Sequence, residues 1–260
     1  MDTDLKAFLD KQVDRFLHPS FIENDPISVP RQFVSRQDIE IIAFWTAILS
    51  WGQRKTIISK ARELVDLMDG SPHDFIINHD EKDRTRFKHW KHRTFQYTDT
   101  LYFLEFLQHH YRHFSSLEDA FVPLQKLEAE NTQIALETFH TTFFKLPDAP
   151  HRTRKHVATP AKNASCKRLN MFLRWMVRDN QNGVDFGLWK KIQPSQLVIP
   201  LDVHVAKISR RLGLLTRKQL DWKAALEITN HLRGFDPGDP VKYDFALFGL
   251  GVLEKNQALK

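Results

Sequence analysis

A lysine and an aspartate at the starts of two consecutive amphipathic helices are the residues of this chain best suited to chemistry. Lys167 opens the helix predicted for 167–177, and Asp202 precedes the next helix, which ends at Gly213. A lysine amine is a nucleophile and a carboxylate stabilises positive charge, so the pair suits reactions at a sugar or a base. Other chemistries lack their residues, because the sequence contains no P-loop, Gly-x-Gly-x-x-Gly, Gly-x-Ser-x-Gly or His-Glu-x-x-His pattern.

The composition favours a partner that carries many negative charges. The 260-residue chain has a formal net charge of +6, and hydrophobic residues make up 42% of it, which is enough for a sizeable core. The single cysteine, Cys166, excludes an intramolecular disulfide and a four-cysteine iron–sulfur or zinc site. We therefore expect no metal, no cofactor and a reducing environment.

Neither a membrane segment nor an export signal is visible in the sequence. No apolar run approaches the roughly 20 residues that are needed to span a bilayer. The N-terminal residues also lack the basic-then-apolar order of a signal peptide. We expect a soluble protein that stays in the cytoplasm.

The segment 151–168 contains no acidic residue and is the strongest candidate for contact with phosphate groups. Its cations are Arg152, Arg154, Lys155, Lys162, Lys167 and Arg168. The segment leads directly into a helix, whose first backbone N–H groups add partial positive charge where an anion would bind. An ordinary solvated turn is the alternative, and the sequence leaves both interpretations open.

Hydrophobic residues recur at helical spacing along almost the whole chain, and strand patterns are nearly absent. The predicted helices cover 4–18, 39–51, 54–69, 99–113, 117–129, 134–144, 167–177, 202–213, 222–232 and 240–250. The fold class is therefore all-α. We expect one compact unit of two lobes, with a central helical lobe formed by 36–166 and a second lobe formed by 1–35 together with 167–260.

Three segments resemble the helix-hairpin-helix superfamily of base-excision DNA glycosylases, which includes endonuclease III and the 8-oxoguanine DNA glycosylases. The most specific segment is LDVHVAKISRRLGL, 201–214; the others are CKRLNMFL, 166–173, and ILSWGQRKTIISKA, 48–61. The helical order is similar over 36–250, and the whole chain also resembles an uncharacterised bacterial family usually placed near these enzymes. The resemblance implies a two-lobed helical fold with a hairpin-type motif between the lobes and a cleft.

The hairpin of this chain departs from the pattern of that superfamily. The superfamily hairpin usually reads Leu-Pro-Gly-x-Gly, whereas the corresponding TPAKNAS, 159–165, contains no glycine. We expect Asn163 to adopt the left-handed conformation that a glycine would supply, and Lys162 to supply positive charge. The chain between Lys167 and Asp202 is also longer than in the superfamily, and the excess lies in 179–197.

Under this resemblance Lys167 is the nucleophile and Asp202 is its partner. The amine would attack C1′ of a damaged nucleoside and form a Schiff base, while Asp202 stabilises the sugar cation and assists proton transfer. The target base must first leave the stack, and Trp51 and Trp175 are the candidates for its pocket or for a wedge. The residues expected to contact nucleic acid are Arg152, Arg154, Lys155, Lys162, Asn163, Arg168, Gln53 and Arg54.

Structural roles remain open for the same residues. Asp202 is well placed to cap a helix, and Lys167 can be a solvated lysine at a helix start. Gln53 can simply end a helix, and both tryptophans can belong to the core.

Two functions follow from these observations. The first is a DNA glycosylase and AP lyase that flips a damaged base, such as an oxidised purine, out of double-stranded DNA. The second is a nucleic-acid-binding protein that keeps the same scaffold without catalysis. The expected partner is double-stranded DNA with a damaged base, bound by a monomer in the cytoplasm, at the nucleoid while it is on DNA.

Overall fold

The computed structural model describes residues 3–122 and 129–257, and the side chains as far as residue 253. This part of the chain contains helices and no strand, so the all-α prediction is confirmed. The eleven α-helices of the described residues are α1 Thr3–Phe16, α2 Arg36–Leu49, α3 Arg54–Leu67, α4 Pro72–Asn78, α5 Glu81–Arg84, α6 Tyr97–Tyr111, α7 Gln133–Phe143, α8 Lys167–Val177, α9 Val203–Arg211, α10 Trp222–Phe235 and α11 Asp244–Gln257. None of the described helices is long and apolar enough to cross a membrane.

The chain divides into two compact units. The first unit comprises Met1–Phe21, Glu128–Ile134 and Thr159–Lys260, and the second comprises Ile22–Leu127 and Ala135–Ala158. These boundaries differ from the predicted 36–166 lobe, because 22–35 belongs with the second unit, whereas 129–134 and 159–166 belong with the first. The hairpin segment 159–165 therefore lies in the same unit as Lys167 and Asp202.

Helix α2 is the centre of the second unit. Ser35 begins it by accepting a hydrogen bond from the Asp38 backbone N–H at 3.4 Å. Every residue from Ile39 to Leu49 is buried, as the nearly continuous apolar run predicted. Phe44 stacks on Phe103 with ring centroids 5.5 Å apart, so aromatic contacts join α2 to α6.

Helix α11 is the corresponding element of the first unit, since both α1 and α9 pack against it. Two glycines allow this close packing. A Cβ atom on Gly249 would lie 2.4 Å from the ring of Phe16, and one on Gly251 would lie 2.8 Å from the Cβ of His204. The short distance between α9 and α11 brings the start of α9, where Asp202 lies, close to α11.

Two of the helix predictions are wrong in detail. The predicted helix 117–129 is a 3-10 helix, Leu117–Ala120, as far as the structure describes it, and 123–128 lies outside the described residues. At the start of the predicted helix 240–250, Pro240–Tyr243 is a 3-10 helix before α11, and the preceding Asp239 makes no side-chain capping bond. Asp239 instead forms an ion pair with Arg178, which the local sequence pattern could not reveal.

Candidate active site

The start of α8 has an unusual backbone geometry. Cys166 precedes the helix with φ of 52°, in the left-handed region, and its side chain makes no capping bond. A non-glycine residue in this region costs about 1 to 2 kcal/mol. The Asn170 side chain donates a hydrogen bond to the Ser165 carbonyl at 3.2 Å, across this turn. Lys167, the first residue of α8, is thus placed by a strained and well-anchored turn, and strained turns are common at functional sites.

Asp202 is the N-cap of α9, as predicted. Its Oδ1 atom accepts hydrogen bonds from the backbone N–H groups of His204 at 2.8 Å and Val205 at 3.0 Å. Its other oxygen, Oδ2, accepts no hydrogen bond from the described residues, and the side chain is half-buried. Capping therefore uses one carboxylate oxygen and leaves the second one for another partner.

Lys167 and Asp202 act electrostatically on one buried carboxyl group, that of Asp244. Asp244 begins α11 and hydrogen-bonds to Nη1 of Arg174. The pKa of Asp244 is raised to about 6, chiefly because the carboxyl is buried; the charge of Asp202 also raises this pKa, whereas Arg174 and Lys167 lower it. The charges of the lysine and the aspartate predicted from the sequence therefore both influence the pKa of Asp244.

A chain of buried ion pairs continues from Asp244 along α8. Nε of Arg174 lies 3.3 Å from Asp185, and Nη1 of Arg178 lies 2.6 Å from the other oxygen of Asp185. Arg178 also binds Asp239 through Nε at 3.0 Å and Nη2 at 2.8 Å. Because each buried charge has an opposite partner, the chain fixes α8 relative to the start of α11.

One detail of the hairpin segment 159–165 is as predicted. Asn163 adopts the left-handed conformation with φ of 54°, so it replaces the expected glycine. Its side chain donates to Asp221 at 2.9 Å, and its carbonyl accepts from the Trp222 backbone N–H at 3.2 Å. A hydrogen bond from Arg217 is the main cause that lowers the pKa of Asp221, so this carboxylate stays ionised. Lys162 is exposed beside this anchored turn.

Two of the predicted DNA-contacting arginines are used for contacts within the second unit. The Arg152 guanidinium binds Asp99 and donates to the Thr94 carbonyl at 3.1 Å. The guanidinium of Arg154 lies 4.6 Å from the centroid of the Phe144 ring. Both side chains are only partly exposed, so their first role is to hold the 3-10 helix His151–Lys155 in place.

The other predicted DNA contacts are divided between the units. Gln53 and Lys155 are exposed in the second unit, and Arg54 is half-buried there. Gln53 precedes α3 without a side-chain capping bond. Arg168 lies in the first unit, where burial lowers its pKa to about 10, so it still carries its charge at neutral pH.

The two predicted pocket tryptophans differ in exposure. Trp175 is completely buried, as its alternative role in the core requires, and it does not reach the surface as a wedge would have to. Trp51 is half-buried, with its ring 4.8 Å from that of His92 and 5.7 Å from that of His156. Trp51 keeps an accessible edge, but it belongs to the second unit.

The structure also contains a surface pocket of about 360 Å³ at the C-terminal end of α9. It is lined by Leu5, Leu212, Gly213, Leu214, Asn230, His231, Gly234 and Phe235. Asp202 lies at the opposite end of α9, so this pocket is separate from the candidate site. Within the described residues, no group of three or more His, Cys, Asp or Glu side chains is placed to hold a metal ion.

Asp244 and Arg174 are the site residues that the sequence did not identify. A weak signal was present for Arg174, because Lys167, Arg174 and Arg178 fall on one face of the amphipathic helix α8. Cations repeated on a mostly buried face require acidic partners.

Comparison with known proteins gives one match. No curated protein and no solved structure matches the chain. Residues 25–253 match a family described as "Protein of unknown function (DUF2400)". Since this match covers most of the chain, the protein belongs to the DUF2400 family.

Proposed function

We propose that this protein is a DNA glycosylase and AP lyase whose nucleophile is Lys167 and whose second catalytic residue is Asp202. The observation that supports the proposal is that the strained turn at Cys166 places Lys167 at the start of α8, while Asp202 of the same unit uses only one carboxylate oxygen in its cap. The resemblance of 201–214 to the helix-hairpin-helix glycosylases supports the same assignment.

The chemistry follows from the two side chains. The neutral amine of Lys167 attacks C1′ of the flipped nucleoside, and the bond from C1′ to the base breaks with its electron pair on the base. Asp202 stabilises the positive charge that develops on the sugar, because its Oδ2 atom accepts no bond from the described residues. The resulting Schiff base permits strand cleavage at the abasic site.

The proposed substrate is double-stranded DNA that contains a damaged base, such as an oxidised purine. Lys162 beside the anchored turn at Asn163, together with the partly exposed Arg168, would contact the phosphates in the first unit. Such a repair enzyme would work in the cytoplasm, at the nucleoid while it is bound to DNA, as a monomer without a cofactor.

Borohydride trapping tests this proposal. Sodium borohydride, added to the protein with duplexes that carry an oxidised purine or an abasic site, should yield a covalent protein–DNA complex. Lys167→Ala should abolish trapping and leave the Kd for the duplex within about twofold, because one charge among several contributes little to binding. Lys190→Ala, an exposed lysine of the same unit, is the matched control and should trap like the parent.

Other results of the trapping and binding experiments would identify the alternative functions. If no duplex is trapped while affinity falls steeply with salt, the protein binds nucleic acid without catalysis. In that case the Lys167 and Asp202 variants should bind like the parent. If binding is absent or independent of salt, both functions are refuted.

A further inference from the structure

Two exposed histidines lie one turn apart at the end of α6. His109 belongs to the last turn of that helix, and His113 follows it after four positions. Although α6 ends at Tyr111, the backbone N–H of Phe114 still donates to the His110 carbonyl at 2.9 Å, so a helical turn continues around His113. Residues four positions apart on a helix share one face, which is the spacing that places two imidazoles on a single metal ion. Both histidines belong to the second unit.

The two imidazole rings are close enough to bind one ion. Their centroids are 4.8 Å apart. A metal–nitrogen bond is about 2.0 Å long and the ring centre lies about 1.2 Å beyond the nitrogen, so at ligand angles of about 90° to 110° the centroids of two bound imidazoles are about 4.5 to 5.2 Å apart. The observed separation lies within this range, and the rings therefore need no large movement to share an ion.

One hydrogen bond fixes the tautomer of the neutral His113 ring. Its Nδ1 atom lies 2.7 Å from the His109 carbonyl oxygen, and since a carbonyl can only accept, Nδ1 carries the proton. The lone pair of the neutral ring is then on Nε2, where a metal ion can bind. A metal-binding histidine almost always donates its other N–H group to a backbone carbonyl, a carboxylate or water. His113 is therefore oriented and protonated as a metal ligand requires.

The charges around the two histidines favour a cation. The last carbonyl groups of α6 form the negative end of the helix dipole. Glu105 is exposed four positions before His109, on the same face of the helix, and adds a negative charge. Arg112 lies between the two histidines in the sequence, but its guanidinium donates to the Ile77 carbonyl at 3.3 Å and is therefore directed toward α4.

We propose that His109 and His113 together bind a divalent transition metal ion of the Zn²⁺ class across the last turn of α6. Imidazole nitrogens suit Zn²⁺, Cu²⁺ and Ni²⁺, whereas Mg²⁺ prefers oxygen ligands. Water completes the coordination, because the described residues place no third His, Cys, Asp or Glu side chain at the ion. The sequence-based expectation of no metal rested on the single cysteine, and neither ligand is a cysteine. An ion that binds the folded helix end and not the unfolded chain stabilises the second unit.

Calorimetric titration of the untagged, full-length protein with ZnCl₂ tests the proposal. His109→Gln and His113→Gln should each weaken the tightest Zn²⁺ site by at least about tenfold, because each removes one of its two metal–nitrogen bonds. His109→Gln is the sharper variant, since His113→Gln also removes the hydrogen bond to the carbonyl of residue 109. His89→Gln changes an exposed histidine of the same unit and is the matched control, which should bind Zn²⁺ like wild type. MgCl₂ should give no saturable binding.

Two further measurements separate metal binding from a purely structural role of His113 as a cap of α6. Zn²⁺ at about ten times its Kd should raise the Tm of wild type by about 2 to 5 °C and leave the Tm of both variants unchanged. The electron paramagnetic resonance spectrum of bound Cu²⁺ should show two nitrogen ligands in wild type and lose one in His109→Gln. If wild type shows no saturable Zn²⁺ binding, if His109→Gln binds like wild type, or if His89→Gln weakens the site equally, the proposal is overturned.

Discussion

Two buried aspartates, one in each unit, have opposite acid–base properties. Asp99 in the second unit and Asp244 in the first are both nearly inaccessible to solvent, and each binds an arginine. Burial raises the pKa of Asp99, but its hydrogen bonds outweigh burial and bring the pKa to about 2; Asp244 has a pKa of about 6. Asp99 is bound by His156, the Gln96 backbone N–H, Thr153 and Arg152.

The number of hydrogen-bond donors around each carboxyl group explains why the two pKa values differ. A carboxylate that receives several hydrogen bonds is stable as an anion even when it is buried, so Asp99 serves as an anchor for the 3-10 helix His151–Lys155. Asp244 receives fewer hydrogen bonds, and the negative charge of Asp202 also raises its pKa. A buried carboxyl group that is incompletely satisfied can exchange a proton near neutral pH, which is a property of acid–base sites.

The largest expected effect concerns the arginine that binds each aspartate. Arg174→Met should lower the free energy of unfolding by about 3 to 5 kcal/mol, because Asp244 and Asp185 both lose a buried partner. Arg152→Met should cost only about 1 to 2 kcal/mol, because Asp99 keeps its other donors. Urea unfolding of both variants gives the comparison. If Arg152→Met lowered the free energy of unfolding more than Arg174→Met did, the hydrogen-bonded group around Asp99 would depend more on its arginine than the ion pairs of Arg174 do.

The second prediction concerns pH and has opposite signs at the two aspartates. The folded pKa of Asp99 is about 2, below its ordinary 3.8, so its ionised form stabilises the fold above pH 4 and this stabilisation is lost as pH falls toward 2. The folded pKa of Asp244 is about 6, above 3.8, so its ionisation destabilises the fold as pH rises from 4 to 6. The free energy of unfolding should change by about 2 kcal/mol for Asp99 and by about 3 kcal/mol for Asp244 over these pH ranges.

The measurement compares wild type with Asp99→Asn and Asp244→Asn by urea unfolding at several pH values. The advantage of wild type over Asp99→Asn should grow between pH 2 and pH 4. Its advantage over Asp244→Asn should shrink, or reverse, between pH 4 and pH 7. Glu105→Gln, an exposed change on the same helix as Asp99, should show neither trend. If the free energies of unfolding of the two aspartate variants, relative to wild type, changed with pH in the same direction, the two aspartates would not have opposite acid–base properties.

The smallest expected effect concerns Asp202. Asparagine caps a helix as well as aspartate does, so Asp202→Asn should change the free energy of unfolding by less than about 0.5 kcal/mol. Asp202→Ala removes both capping bonds and should cost about 1 kcal/mol. If Asp202→Asn is both as stable and as active in trapping as wild type, Asp202 is a helix cap alone.

Local sequence signals predicted the helices and two details of the site. The apolar run of α2, the cap at Asp202 and the left-handed Asn163 all depend on residues close together in the chain, where propensity and capping rules apply. The same rules favour a cap at Asp239, but this residue makes no side-chain capping bond and pairs with the distant Arg178 instead.

Long-range pairing explains why Asp244 was missed. Arg174 and Asp244 are separated by 70 positions in the sequence, and nothing in their local patterns shows that they pair. The raised pKa of Asp244 arises from burial and from charges on other helices. A sequence therefore identified the lysine and one aspartate of the candidate site, and the fold supplied the other aspartate.

The titration of Asp244 tests most directly whether Lys167, Asp202 and Asp244 form one site. With aspartate carboxyl carbons labelled with ¹³C, the Asp244 signal can be assigned from its absence in Asp244→Asn and followed over pH. The midpoint should lie near the value of about 6 in wild type, fall in Asp202→Asn and rise in Lys167→Met, since those two charges act on it in opposite directions. A midpoint near 4, or one that neither substitution moves, would contradict the account.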